Sequence, residues 1–252
     1  MGTVAANRMA SGMKILILGG TAEARDLAAR LVRIGHEVTS SLAGRTQAPI
    51  LPEGAVRLGG FGGAGGLSAY LRSAGIVRLV DATHPYAATI SRNAVVAAQT
   101  SGVPLVRLMR PAWTQPEGAN WTVVETAAEA AAALPAGADV LLTTGHTGLA
   151  EFLGRSDCHF VVRLIEAPEL PIPPHARILQ SRPPYSLEDE MALIERNRIT
   201  HLVTKNSGGG QTAAKLEAAQ RLGVKVIMIA RPAYGPAIEV SSVEEAIVAL
   251  AL

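Results

Sequence analysis

The chain has a single cysteine, few aromatic residues, almost no net charge and no long apolar run, and each shortage removes a class of protein. Cys158 alone cannot close an internal disulfide, which in a chain of 252 residues points to a reducing compartment, so the cytoplasm is the expected setting. Aromatic residues, at 4%, provide too little ring surface for a protein that works by stacking bases. A formal charge of +2 is too small an excess for gripping a polyanion, so no nucleic-acid partner is expected; a small acidic ligand still suits it. No segment approaches the roughly 18 apolar residues needed to span a bilayer, so no membrane partner is expected. Residues 1–12 (MGTVAANRMASG) lack the apolar centre of a signal peptide, and Ala6 stands where a myristoylation signal carries Ser or Thr. They read as a disordered leader ahead of Met13.

What the chain does have is a repeat. Residues 102–113 (GVPLVRLMRPAW) return 121 positions later as residues 223–234 (GVKVIMIARPAY). At the same offset Ala97, Ala98 and Gln99 meet Ala218, Ala219 and Gln220, and Thr83 and His84 meet Thr204 and Lys205. Beyond the repeat, after a five-residue slip, Val124, Glu129, Ala130 and Leu134 match Val240, Glu245, Ala246 and Leu250. Leu16, Gly19 and Thr21 match Leu142, Gly145 and Thr147 at a slightly different spacing. Each matched block is a strand followed by a turn or helix, so each half reads as an α/β unit. With 48% hydrophobic and 17% charged residues the chain can bury parallel sheets on both faces.

Unbroken apolar runs predict strands at 14–18, 37–42, 55–58, 78–82 and 105–108 in the first half, and at 139–143, 160–164, 178–179, 201–204 and 226–229 in the second. Helices are expected at 22–34, 91–100 and 127–134, and the Pro- and Gly-rich stretch between Pro111 and Pro135 marks the junction. The predicted architecture is α/β: two Rossmann-like parallel-sheet domains related by internal duplication, residues 13–115 and 116–252, with an active-site cleft between them.

The turns supply the chemistry. Gly19, Gly20 and Thr21 follow the first strand and open a helix, a partial GxGxxG fingerprint with Thr in place of the central Gly. Such a turn sets backbone N–H groups and the positive helix end against a pyrophosphate, and the Thr hydroxyl can add a bond. The second strand ends in Ser40, Ser41 and then Arg45, with none of the acids that would hold the ribose of NAD. Hydroxyls followed by Arg suit a 2′-phosphate, which selects NADP(H). Six glycines in residues 59–66 exclude a helix or strand interior and leave a ligand loop or a plain connector.

Asp81, Thr83, His84, Pro85 and Tyr86 lie at the carboxyl end of the fourth strand; Lys205, Asn206, Ser207 and Gly208 are their repeat counterparts. Ligands of open α/β sheets bind outside the carboxyl ends, so both turns belong at the working edge. In the second half His146 replaces Gly20, crowding a pyrophosphate and turning that half toward the other substrate. Arg110 and Arg231, each before a proline, either bind carboxylates or cap exposed carbonyls.

In order, the segments GGTAEAR, SLAGR, GGFGG, DATHPYA, TGHTGL and TKNSGG resemble the precorrin-6A reductase family of cobalamin biosynthesis, and the likeness runs through nearly the whole chain after Met13. The resemblance implies reduction of one double bond of the precorrin-6A tetrapyrrole to give precorrin-6B, with NADPH and without metal or flavin; some relatives take the cobalt-containing macrocycle. Reading the turns together with it, we expect Gly19, Gly20 and Thr21 to hold the pyrophosphate and Ser40, Ser41 and Arg45 to hold the adenosine phosphate. The turn Asp81, Thr83, His84, Pro85 and Tyr86 would lie under the nicotinamide ribose, while Lys205, Asn206, Ser207, Gly208 and His146 face the macrocycle. Lys205, His84, Tyr86 and water all stand as proton donors, and the oligomeric state is open. Another NADP-dependent reductase of tandem architecture, or a two-lobed nucleotide-binding protein without chemistry, are the competing readings. One outcome follows from Arg45. Because a charge-assisted hydrogen bond contributes about 1.5–3 kcal/mol, Arg45→Ala should weaken NADPH roughly 10- to 150-fold and leave NADH almost unchanged in a fluorescence titration.

Overall fold

The computed structural model describes residues 12–44 and 50–251. Arg45 and the expected leader, apart from Gly12, lie outside them. The chain begins with β1 (Lys14–Leu18), α1 (Ala22–Arg33), β2 (Glu37–Leu42), β3 (Ala55–Leu58), α2 (Gly63–Ser73), β4 (Arg78–Asp81), α3 (Ala88–Ser101) and β5 (Leu105–Leu108). It continues with β6 (Trp121–Val124), α4 (Ala127–Ala132), β7 (Asp139–Leu142), α5 (Leu149–Leu153), β8 (His159–Leu164), β9 (Ala176–Gln180), α6 (Leu187–Arg196), β10 (His201–Lys205), α7 (Ala214–Arg221) and β11 (Lys225–Ile229). The last elements are β12 (Ile238–Val240) and α8 (Val243–Leu250).

These elements build two six-stranded sheets, ordered β12-β5-β4-β1-β2-β3 and β6-β11-β10-β7-β8-β9, in which every neighbouring pair is parallel. The two orders are the same once each element is replaced by its repeat counterpart, so the duplicated Rossmann-like α/β architecture expected from the sequence is the one observed.

The edge strand breaks the simple two-halves picture. β6 follows β5 in the chain yet pairs with β11, and β12 follows β11 yet pairs with β5. The sixth strand–helix pair of each half therefore completes the sheet of the other half. The two compact units are accordingly discontinuous: residues up to Arg110 join Ala233–Leu252, and Pro111–Pro232 form the second. An expected division at 115/116 with everything beyond in one domain does not describe this arrangement. Both crossings fall inside the repeated Arg-Pro-Ala triplet, at Arg110/Pro111 and Pro232/Ala233.

Alternation along the strands sends side chains to opposite faces of the first sheet. Ile15, Ile17, Val80, Val106 and Leu108 pack with Ala24, Leu27 and Leu31 of α1 and with Val243, Ala246 and Leu250 of α8. Leu16, Leu18 and Leu79 pack on the other face with Leu67 and Leu71 of α2 and Ala94, Ala97 and Ala98 of α3. In the second unit Leu141, Val161, Leu202, Val226 and Met228 meet Ile194 of α6 and Leu216, Ala218 and Ala219 of α7.

The glycine-rich run corrects another expectation, because Gly63 to Gly66 form the first turn of α2 rather than a loop. A Cβ on Gly66 would stand 1.7 Å from the Phe61 carbonyl oxygen, so close backbone approach outweighs poor helix propensity there. Among the described residues no helix is long and apolar enough to cross a membrane.

A chain ended after Pro232 keeps every strand of the second sheet and loses β12 and α8 from the first. Buried Val243 and Leu250 alone stand for about 1.5–3 kcal/mol each, and their loss also uncovers α1 and β5. Since a domain holds only about 5–15 kcal/mol in all, the first unit should fail to fold. Hydrogen exchange should find β1, β4 and β5 unprotected and β7, β10 and β11 still protected.

Candidate functional site

In the first sheet the strand order reverses between β1 and β4, and the turns after these two strands share one edge. Ligands of open α/β sheets bind in this crevice. Thr21, Glu23, Thr83, Pro85, Leu108, Met109 and Arg110 line a small depression there.

The turn after β1 is tight. Gly19 donates its N–H to the Ser41 carbonyl at 3.0 Å, and Gly20 takes φ +114°, where a side chain would be strained. Nothing lies within 4 Å of the place a Gly20 Cβ would occupy, so the turn is open on its outer side. Thr21 caps α1, its hydroxyl accepting from Ala24 N at 3.1 Å and donating to the Ala82 carbonyl at 2.8 Å. That donor is engaged inside the protein, so the extra hydroxyl bond expected toward a pyrophosphate is not on offer. The side chain instead ties the β1 turn to the β4 turn. A 12-residue helix whose first turn faces an open glycine fits the anionic bridge of a dinucleotide. Glu23 in that first turn is paired with Arg110 at 3.1 and 3.2 Å, which offsets a negative charge there.

Ser40 and Ser41 are buried and pair with Ile17 and Leu18 in the sheet. Ser41 supports the glycine turn through its carbonyl, while the Ser40 hydroxyl has no hydrogen-bond partner among the described residues. Neither side chain stands at the strand tip. The exposed end of this edge instead carries Arg57, whose guanidinium binds the Gly59 and Gly60 carbonyls at 2.6 and 2.8 Å and stacks 3.9 Å from the Phe61 ring centre.

Asp81 is buried at the end of β4. One carboxylate oxygen accepts from Thr83 N at 3.2 Å and from the Thr83 hydroxyl at 2.7 Å; the other lies 3.6 Å from Arg107 Nε. Arg107, also buried, reaches Glu239 of β12 at 2.9 Å and the Gly235 carbonyl at 3.0 Å. Asp81 thus holds the turn from within, while His84 is exposed and Tyr86 half-buried on its outer side. Their rings lie 5.9 Å apart, and Tyr86 N donates to His84 Nδ1 at 3.3 Å. Arg57 and Arg107 were missed by sequence reasoning. The signal for Arg107 was a charge inside the apolar strand LVRL, which is rare unless paired.

In the second unit the corresponding edge differs. Six residues, 143–148, separate β7 from α5, where three separate β1 from α1, and α5 has only 5 residues with Gly148 as an N-cap lacking a side-chain bond. His146 is exposed in this longer loop. The adjacent β10 turn is firmly held: Asn206 accepts from Trp113 N at 2.8 Å and donates to the Trp113 carbonyl at 3.0 Å. Arg231 Nε donates to the Asn206 carbonyl at 2.7 Å, so this arginine takes the carbonyl-capping role. Ser207 is buried, and a Cβ on Gly208 would stand 2.1 Å from the Pro111 carbonyl oxygen. Lys205 is half-buried at the end of β10, and burial lowers its pKa to about 8.

Two parallel-sheet units with a dinucleotide-type turn at one switch point and a half-buried lysine at the other fit a nucleotide-dependent α/β enzyme. The family model of the precorrin-6x reductases CbiJ/CobK matches residues 14–251. The chain is 50% identical to the precorrin-6A reductase of Rhodococcus erythropolis over 90% of its own length and 92% of the relative's. It is 33% identical to the cobalt-precorrin-6A reductase of Priestia megaterium over 94% and 97% of the two chains. A solved structure described as CobK precorrin-6A reductase superposes with a TM-score of 0.89 at 41% identity, covering 95% of this chain and 96% of that one. The chain belongs to the precorrin-6x reductase family, oxidoreductases of cobalamin biosynthesis that act on a carbon–carbon double bond with a nicotinamide cofactor.

Thr21→Ala removes the α1 cap and the bond to Ala82 together. Caps contribute about 1 kcal/mol and buried hydrogen bonds a similar amount, so urea unfolding should report a loss of about 2 kcal/mol, mostly recovered in Thr21→Ser.

Proposed function

We propose that the chain reduces metal-free precorrin-6A to precorrin-6B with NADPH, in the cytoplasm, with the first unit holding the nucleotide and the second the macrocycle. The observation that carries the division is the contrast between the two first turns. Gly19, Gly20 and Thr21 present an open turn on a 12-residue helix, whereas the second unit offers a longer loop, an exposed His146 and a helix of 5 residues. The metal-free substrate is favoured by the identities, 50% to a relative named for precorrin-6A against 33% to one named for the cobalt form.

When bound, the nicotinamide supplies the hydride that saturates one carbon of the double bond. The backbone N–H groups of Gly20 and Thr21 hold the pyrophosphate, and Ser40, Ser41 and Arg45 mark the adenosine end. With the Ser40 and Ser41 side chains inside the sheet, the 2′-phosphate preference rests on Arg45. Asp81 and Thr83 keep the β4 turn in shape, so that His84, Pro85 and Tyr86 present a fixed surface to the nicotinamide ribose. Asn206, Ser207 and Gly208, held by Trp113 and Arg231, form the floor for substrate carboxylates together with His146. Lys205 donates the proton to the neighbouring carbon. Its lowered pKa lets it give up a proton near neutrality, which an ordinary lysine at 10.5 does reluctantly.

The sign of the pH dependence follows. Lys205 is charged and can donate below pH about 8 and is neutral above it, so kcat should fall as pH rises through about 8. The same depression makes the unfolded chain bind more protons between about pH 8 and 10.5, so its contribution to stability rises across that window. Mixing the protein with precorrin-6A and NADPH should consume the nicotinamide absorbance, and NADH should do so poorly. In Lys205→Met, kcat should drop about 10²- to 10⁴-fold and the alkaline limb should disappear, with NADPH affinity kept. An unchanged limb would reassign the proton to His84, Tyr86 or water.

A further inference from the structure

The repeated Arg-Pro-Ala triplet is followed by an aromatic residue in each copy, Trp113 in the first and Tyr234 in the second. Each aromatic lies just past a crossing, so each belongs to the unit whose sheet its own half did not build. Both hold the same feature. The Tyr234 hydroxyl donates to the carbonyl of buried Pro85 at 2.5 Å, in the turn after β4. The Trp113 indole Nε1 donates to the Gly209 carbonyl at 3.1 Å, in the turn after β10, and its backbone exchanges two further bonds with Asn206. Each ring also has a cation nearby: Arg107 5.0 Å from the Tyr234 ring centre, Lys215 4.9 Å from that of Trp113.

We propose that Tyr234 and Trp113 are crossed positioning residues, each fixing the ligand-facing turn of the sheet begun by the opposite half of the chain. The proposal rests on the assignment of nucleotide and macrocycle made above. Tyr234 grips the β4 turn at Pro85 while its neighbour in space, Arg107, grips the same turn at Asp81, so the segment carrying His84 is fastened at both ends and Tyr86 follows directly on the second hold. Burial and the Asp81 charge push the Tyr234 hydroxyl above its usual range, which keeps it a proton-bearing donor at every working pH. Trp113 does the equivalent at Asn206 and Gly209, and Gly208 between them is packed so closely under the Pro111 carbonyl that no side chain fits. Neither residue is asked to touch a reacting atom.

The test uses the full chain in three forms. Tyr234→Phe keeps the ring beside Arg107 and deletes the hydroxyl's bonds to Pro85 and to Ser91 at the start of α3; Trp113→Phe keeps the backbone bonds to Asn206 and deletes the one to Gly209. Gly208→Ala disturbs the second turn with Trp113 intact. A neutral hydrogen bond of this kind corresponds to roughly a two- to tenfold change in an equilibrium. Tyr234→Phe should speed hydrogen exchange at residues 83–91 and weaken NADPH by that factor while leaving precorrin-6A binding alone. Trp113→Phe and Gly208→Ala should speed exchange at residues 206–213 and weaken precorrin-6A, with NADPH unchanged. Exchange that rises at both turns in one variant, or at neither, overturns the crossed arrangement. Crossed exchange with no change in ligand affinity overturns the positioning role. Failure of the unaltered protein to bind NADPH or precorrin-6A instead defeats the functional reading, and the exchange pattern still judges the two holds.

Discussion

The parallel pairing of β12 with β5 is the constraint on which the first unit depends. Glu239 in β12 stands 132 residues from its partner Arg107 in β5, and the chain passes through every strand of the second sheet between them. Closing it adds α8 to the face of the sheet that already holds α1, and it seats Arg107 between Asp81 and Glu239 in a buried position. A buried guanidinium is tolerable only with such partners, because removing one of them leaves an uncompensated charge. The same closure delivers Tyr234 to the β4 turn. The switch-point edge of the first sheet is thus organised by residues from β12 and the segment before it.

Duplication explains why both sheets share one strand order, and the departures between the copies fall in the turns at the carboxyl ends of their strands. A helix of 12 residues capped by Thr21 offers a strong positive end beside an open glycine. Its counterpart, of 5 residues and capped by Gly148, does not. The lysine that replaces His84 at the β10 turn sits half-buried, where desolvation makes its proton easier to release.

Much of this was legible in the sequence because it was local. The apolar runs marked β1 to β5 and β7 to β11, and the repeat in register marked two sheets of one kind. What escaped was non-local or contrary to propensity. β6 and β12 are short edge strands with largely exposed side chains, so they lack the apolar run that betrays a central strand. Their exchange between sheets depends on partners more than a hundred residues away, which no window along the chain reports. Gly63 to Gly66 looked unfit for a helix, and only the Phe61 carbonyl shows why a side chain is excluded at Gly66. Gly19, Gly20 and Thr21 were located by their spacing, yet the hydroxyl of Thr21 turned inward to Ala82, a choice set by the neighbouring strand. Arg45 lies outside the described residues.

The crossings at Arg110/Pro111 and Pro232/Ala233 also fix the order in which the protein can be born. Synthesis runs from the amino end, and domains fold as their residues emerge. Pro111–Pro232 form an uninterrupted stretch, so the later-encoded unit is the first to have all its parts outside the ribosome. The earlier-encoded unit waits, with the β5 edge uncovered, until β12 and α8 arrive. A ribosome that stalls before Ala233 therefore leaves Pro111–Pro232 fully made and the first unit still open at the β5 edge.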